Sequence, residues 1–469
     1  MTPPQAGSAA AALPHDGRAP DPEPPAAKPP APQRRVPAPW RRAFATLTLL
    51  GGATAFGAVL VFLTQTLLAR VLGPADYGLF ASSLATVTMI APLAGFGLTQ
   101  FRLKAYGAEG WGAHRWMRSS LRFTTLTTGI ALAVLLGWAS LGAPADGTRF
   151  ALWVLSPVVL SILAVDLASN KMRLEDRFRA MALWQLAIPA SRFAVAAALL
   201  ALPQLDGRFV AVSYGAIAIV VAVLAIPQLR ALAAGRIDLH GHGPRERAVP
   251  IEGPPPGIAA LWSQAWAFGV YAALYPVFYQ IATVLLKYLA GDAPAGRWSI
   301  ALAVMTAIYL IPATIYQKYL LSKLHRWAVH DRPKFWRVYR QGNVGMLLLG
   351  IAVGAGLAIA APFAVPLVFG PQYVAVVPIL TVLALCPPIR FLSTAIGAAL
   401  LTENHMRLRV YAIAFATVAA IALNVALIPR LGEFGAAWGT VGAELLLLAG
   451  TWLGVRRFHR IERERDRAR

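Results

Sequence analysis

Residues 44–69 read FATLTLLGGATAFGAVLVFLTQTLLA, twenty-six positions without one charged side chain. As a helix rising 1.5 Å per residue this stretch is about 39 Å long, enough to cross the ~30 Å hydrocarbon core of a bilayer. No water is present in that core to satisfy a free amide, so the run must close its own hydrogen bonds and is read as an α-helix. Runs of the same kind recur along the 469 residues, at about Phe44–Ala69, Gly78–Thr99, Phe123–Gly142, Phe150–Ala168, Met181–Leu202, Phe209–Ile226, Ile258–Leu286, Trp298–Gln317, Val344–Ala361, Val374–Leu401, Val410–Ile428 and Ala436–Val455. The alternating pattern of a membrane β-barrel is absent. The expected fold class is therefore an all-α integral membrane protein of about twelve transmembrane helices.

The basic residues supply the direction. There are 43 Lys and Arg against 21 Asp and Glu, a net charge of +22. On a soluble chain that excess would point to nucleic acid. Here thirty-five of the 43 fall in the two tails and the even-numbered connections, and six in the odd-numbered ones. Basic residues gather on the cytoplasmic side of a membrane protein, where they meet anionic headgroups. Both termini are therefore expected in the cytoplasm, and no nucleic-acid partner is expected. Residues 1–43 are rich in Pro and Ala and read as a disordered tail; residues 456–469 read as a basic cytoplasmic tail. Two amphipathic stretches, Trp111–Leu121 and Leu320–Arg340, read as interfacial helices.

A Pro-, Gly- and charge-rich connection at 227–257 divides the spans into an N-terminal half (44–226) and a C-terminal half (258–455). A short echo supports that division. Leu67-Leu68, Gly73 and Gly78 between spans one and two match Leu285-Leu286, Gly291 and Gly296 between spans seven and eight, at a constant offset of 218 residues. Both halves start from the same side, as expected of parallel repeats related by an axis along the membrane normal.

Charges inside spans are the strongest functional signal, since one at mid-bilayer costs roughly 2.5–3.5 kcal/mol. Arg192 lies about eleven residues before Pro203, some 16 Å from the outer end of span five. Arg390 lies at similar depth in span ten, directly after Pro387-Pro388-Ile389, where two missing amide donors break the helix. One arginine per half suits a di-anionic headgroup, because guanidinium binds phosphate oxygens bidentately and stays charged. Glu444 in span twelve reads either as an ion-pair partner or as a coupling site for H⁺ or Na⁺. Asp166, near the cytoplasmic end of span four, is open to the same role but close enough to the interface to be merely solvated. Span seven carries Trp262, Trp266, Tyr271, Tyr275 and Tyr279 with Gln264 and Gln280, a stripe that serves packing or sugar contact; Tyr275, Tyr279 and Gln280 are the candidate substrate contacts.

Several chemistries are excluded by what the sequence lacks. It has no Gly-x4-Gly-Lys-Ser/Thr phosphate loop, no Gly-rich dinucleotide turn and no His-Glu-x-x-His motif. The single cysteine, Cys386, allows no disulfide framework, and all eight histidines fall in connections or tails. The outward connections are too short for an extracytoplasmic catalytic domain. No enzymatic activity and no cofactor beyond a coupling ion are expected.

Four strings carry a resemblance. They are Leu67–Leu79 (LLARVLGPADYGL), Phe369–Tyr373 (FGPQY), Ile389–Leu392 (IRFL) with Leu400-Leu401 beyond it, and Leu427–Gly432 (LIPRLG) running through Gly435-Ala436-Ala437. In order and in topological position, this set resembles the bacterial polysaccharide flippases of the multidrug/oligosaccharidyl-lipid/polysaccharide exporter superfamily, over roughly residues 44–455. The resemblance implies two six-helix lobes around a central basic cavity, alternating access, and a polyprenyl-pyrophosphate-linked oligosaccharide as cargo, passed from the cytoplasmic to the outer leaflet of a bacterial inner membrane. It also implies membrane lipid, a polymerase and glycosyltransferases of the same pathway as partners. Span one carries Gln65 and threonines but no acid, unlike many drug exporters of the superfamily. A cation-coupled multidrug or other small-molecule exporter is the alternative.

Overall fold

Helix α1 (Pro39–Ile90) carries the first two predicted spans in one run, broken at Gly73 (φ 75°, ψ 173°). Only glycine rests without strain at those angles, and Pro74 follows with no amide to continue the ladder. The second half repeats this device. Helices α9 (Ile258–Ala290) and α10 (Asp292–Ala313) meet at Gly291, whose φ of 100° and ψ of −177° fall in the same region. The glycines of the sequence echo are thus the corners of two equivalent helix–break–helix units.

The two units also touch. A Cβ placed on Gly78 would overlap the Asp292 carbonyl and lie 2.8 Å from the Gly296 amide nitrogen. A Cβ on Gly296 would overlap the Pro74 carbonyl and lie 3.0 Å from the Gly78 nitrogen. Pro74 and Asp292 are themselves related by the offset of 218. The contact is therefore reciprocal, as across a local two-fold axis.

The remaining helices are α2 (Pro92–Gly95), α3 (Leu98–Glu109), α4 (Met117–Leu141), α5 (Asp146–Leu155), α6 (Pro157–Leu174), α7 (Phe178–Ala201) and α8 (Gly207–Ala233) before the central connection. After α10 come α11 (Arg332–Phe369), α12 (Val376–Leu383), α13 (Cys386–Ala398), α14 (Met406–Leu431) and α15 (Glu433–Arg467). The computed structural model describes residues 39–143, 145–202, 205–239, 255–314, 332–398 and 406–467, and among these there is no strand. Ten helical runs among them are long and apolar enough to cross a membrane. The first, Thr48–Leu141, takes in three predicted spans, separated by the break at Gly73 and the short elements between Ile90 and Met117. Most of the Pro/Ala-rich tail and the middle of the central connection lie outside the described residues.

Helices α5, α6 and α7 pack around α8, while α9, α14 and α15 pack together with α13 against α11 and α15. The two sets also meet where α2, α3 and α4 touch α9. There Phe96 stacks on Trp262 at 5.4 Å, and the Gly97 backbone lies against the Phe268 peptide. Only glycines at 97 and 269 allow that approach, since a Cβ on either would overlap Phe268 backbone or the Phe96 ring.

The first amphipathic stretch, Trp111–Leu121, does not form a separate surface helix. Gly110 (φ 55°, ψ −130°) stops α3, and a 3-10 turn, Gly110–Trp116, feeds directly into α4. Trp116 turns inward, edge-on to Phe101 at 5.4 Å, with its indole N–H donating to Glu109. Tertiary burial of the aromatic outweighs the interfacial placement that its neighbours Arg115 and Arg118 suggested. Of Leu320–Arg340, residues up to 331 lie outside the described set, and 332–340 form the first turns of α11.

Candidate functional site

The site is built on an interrupted helix. Span ten is two pieces, α12 and α13, joined at Ala384-Leu385. Pro387 and Pro388 cannot donate to carbonyls of the preceding turn, yet they fit the first turn of a new helix, where no donor is needed. Leu385 N–H instead closes a tight turn onto the Val382 carbonyl at 3.2 Å. Helix α11 accommodates the break with Gly350-x-x-x-Gly354. A Cβ on Gly350 would lie 2.5 Å from Pro388 Cα, and one on Gly354 would overlap the Ala384 carbonyl. Small residues one turn apart let helices approach closely in a membrane.

Arg390 follows the break by one turn and is 8% exposed. Its Nη1 donates to both oxygens of Glu444 at 3.2 and 3.3 Å, and its Nη2 to the Tyr275 hydroxyl at 2.8 Å. Three rings surround the guanidinium, Tyr275 at 5.6 Å, Tyr279 at 5.5 Å and Tyr309 at 5.4 Å. Glu444 on α15 is 1% exposed. A lone charge here would be strongly disfavoured, whereas a pair with further hydrogen bonds is tolerated. The aromatic faces add attraction to the cation.

The stripe on α9 extends this arrangement. Tyr271, Tyr275 and Tyr279 stack successively at 6.0 and 5.8 Å. Arg409 on α14 donates to the Tyr271 hydroxyl at 2.7 Å, and Arg407 lies 5.8 Å from the Trp266 ring. Arginines thus accompany the stripe at Trp266, at Tyr271 and at Tyr275 and Tyr279. Beside Glu444 lies a cavity of about 30 Å³, lined among others by Tyr279, Met305, Tyr309, Asn424 and Thr440. It has room for roughly two waters and none for a sugar.

Four of the residues singled out in the sequence therefore meet at one place: Arg390, Glu444, Tyr275 and Tyr279. Gln280 is half-buried next to them and joins none of these contacts. Arg192 stands in the other half. Its guanidinium lies 4.6 Å from the Tyr214 ring on α8, its Nε has no partner among the described residues, and Tyr214 in turn packs edge-on to Phe80 at 5.0 Å. The structure does not bring Arg192 and Arg390 together. Asp166 is exposed on α6. Tyr309 was not anticipated, since nothing in the α10 pattern marks it. Gly350 and Gly354 carry a readable signal, their four-residue spacing inside an apolar run.

The model of the polysaccharide biosynthesis protein family matches residues 45–320. Among solved structures, the chain is similar to the lipid II flippase MurJ in an inward closed conformation, with a TM-score of 0.65 at 14% identity over 87% of each chain. It is also similar to a multidrug resistance MATE family transporter of the MOP superfamily. In the inward-facing conformation of such a transporter the TM-score is 0.63 at 12% identity, covering 87% of this chain and 96% of that one. In the outward-facing conformation it is 0.53 at 14% identity, covering 90% and 97%. At these identities the likeness is one of fold. No curated protein sequence matches the chain.

Proposed function

The chain belongs to the polysaccharide biosynthesis protein family, and from that premise we propose that it flips a polyprenyl-pyrophosphate-linked oligosaccharide from the cytoplasmic to the outer leaflet by alternating access. Its helices and fold are those of a multi-pass membrane transporter. The setting proposed is a bacterial inner membrane, with both termini cytoplasmic.

The observation that carries this reading is the buried Arg390, held by Glu444 and ringed by three tyrosines on an interrupted helix. A pyrophosphate replacing Glu444 as its partner would keep the guanidinium compensated, leaving the released Glu444 carboxylate to be neutralised in turn. The tyrosine faces suit the apolar faces of sugar rings. Arg192, half-buried with a free Nε, supplies a second cation in the other half. If Glu444 takes up H⁺ or Na⁺ on release, export is coupled to that ion.

The test is surface polysaccharide output from cells carrying Arg192→Ala/Arg390→Ala. Loss of output with normal membrane insertion is expected; normal output from a well-expressed double variant would sink the assignment.

A cation-coupled multidrug exporter is the second reading, favoured by the fold likeness to a MATE family transporter and by Glu444 beside its small cavity. It requires efflux of a cationic dye that depends on Glu444.

A further inference from the structure

Arg102 belongs to α3, outside the arrangement around Arg390. It is 1% exposed, and its Nε donates to Ser120 Oγ on α4 at 2.9 Å. Among the described residues its Nη1 and Nη2 have no partner, and neither has the buried Thr124 Oγ1, one turn beyond Ser120 on the same face of α4. Among the described residues no carboxylate pairs with it; Glu109 holds Arg115 and Trp116, and Glu175 holds Lys171. A guanidinium stays charged even when buried, and leaving it uncompensated costs several kcal/mol. An anion bound beside it would compensate that charge.

Its position says when. Ser119, beside Ser120, donates to the Pro256 carbonyl just before α9. Leu98, Phe101, Ala105 and Tyr106 of α3 share one apolar cluster with Leu261 and Ala265 of α9. Arg102 therefore lies at the seam between α3, α4 and the start of α9. In sequence that seam falls where the basic connections gather, with Lys104, Arg115, Arg118 and Arg122 within twenty positions of Arg102.

We propose that Arg102, with Ser120 and Thr124, is a phosphate-recognition site that becomes accessible when the start of α9 withdraws from α3 and α4. The open fork of Nη1 and Nη2 matches two phosphate oxygens, which a lysine ammonium cannot match. Two sources share this chemistry, the pyrophosphate of a lipid-linked glycan and the headgroup of an anionic phospholipid. The first rests on the function proposed above; the second does not.

The experiment uses the full chain in lipid nanodiscs, titrated with farnesyl pyrophosphate and, separately, with phosphatidylglycerol. Arg102→Gln is expected to weaken binding of one probe about tenfold, Arg102→Lys to retain part of it, and Arg102→Gln to raise the melting temperature without ligand by removing an unpaired buried charge. An effect on farnesyl pyrophosphate places the glycan lipid at the site. An effect on phosphatidylglycerol alone supports the site while removing glycan-lipid loading there. A wild-type chain that binds neither probe, or an Arg102→Gln chain that binds both like wild type, overturns the proposal.

Discussion

Gly78 and Gly296 lie against each other across the join of the two halves, each leaving room for the backbone at the start of the other's helix. The offset of 218 that relates them in sequence also relates the carbonyls they meet, those of Asp292 and Pro74. Near this point Tyr373 and Gln372 donate to the Ala69 carbonyl, at 3.1 and 3.3 Å, and Phe62 packs edge-on to Phe369 at 5.8 Å. At Gly78 and Gly296 the contact is backbone to backbone, with no side chain between them to yield.

Gly78→Ala is expected to destabilise this join despite alanine's higher helix propensity. Alanine gains up to about 1 kcal/mol in a helix interior, whereas overpacking costs typically ~1–3 kcal/mol. A Cβ here meets backbone, so the upper end is expected. Gly137→Ala on α4, with nothing within 4 Å of its Cβ, is the control and should be neutral or stabilising. Thermal unfolding of the two variants in one detergent decides it.

How much of this was readable beforehand depends on the type of signal. The Gly73 and Gly291 corners were marked by spacing because the same backbone need recurs in both halves. Arg390 was marked because a charge and two prolines inside an apolar run have few explanations. Tyr309 was not, since its role depends on α10 being turned toward α13, and helix rotation follows from packing between segments distant in sequence. The same holds for Arg192. Its place inside an apolar helix was legible, but its neighbour Tyr214 comes from the fit of α7 on α8.

The interrupted helix should depend on the notch opposite it. Gly350→Ala places a methyl 2.5 Å from Pro388 Cα. Either α11 or α13 must shift, and Arg390 moves with α13. Export is expected to fall sharply while Gly356→Ala, with open space around its Cβ, leaves it unchanged. Surface polysaccharide output at matched expression is the readout, and equal output from both would show that the close packing is dispensable.

The ring at 309 acts on Arg390 through its face, 5.4 Å from the guanidinium. Tyr309→Phe keeps that face, and Tyr309→Leu removes it. A buried cation–π contact is worth up to about 2 kcal/mol, so the leucine variant is expected to lose stability on that scale and the phenylalanine variant much less. If the two melt together, the aromatic face is not what holds Arg390.

The ion pair itself predicts a pattern of non-additivity. Arg390→Met leaves Glu444 buried without its cation, and Glu444→Leu leaves Arg390 without its anion. Each is expected to cost about 3–5 kcal/mol, as breaking buried pairs does. The double variant removes both charges and should recover most of that loss, since a well-packed apolar pair is often as stable as the ionic one it replaces. Export should not recover with it. Stability depends on the charges only through their balance, whereas an anionic cargo needs the guanidinium itself. Thermal unfolding and polysaccharide output on the same three variants separate these roles; a double variant that exports normally would mean that the pair is structural and the cargo is held elsewhere.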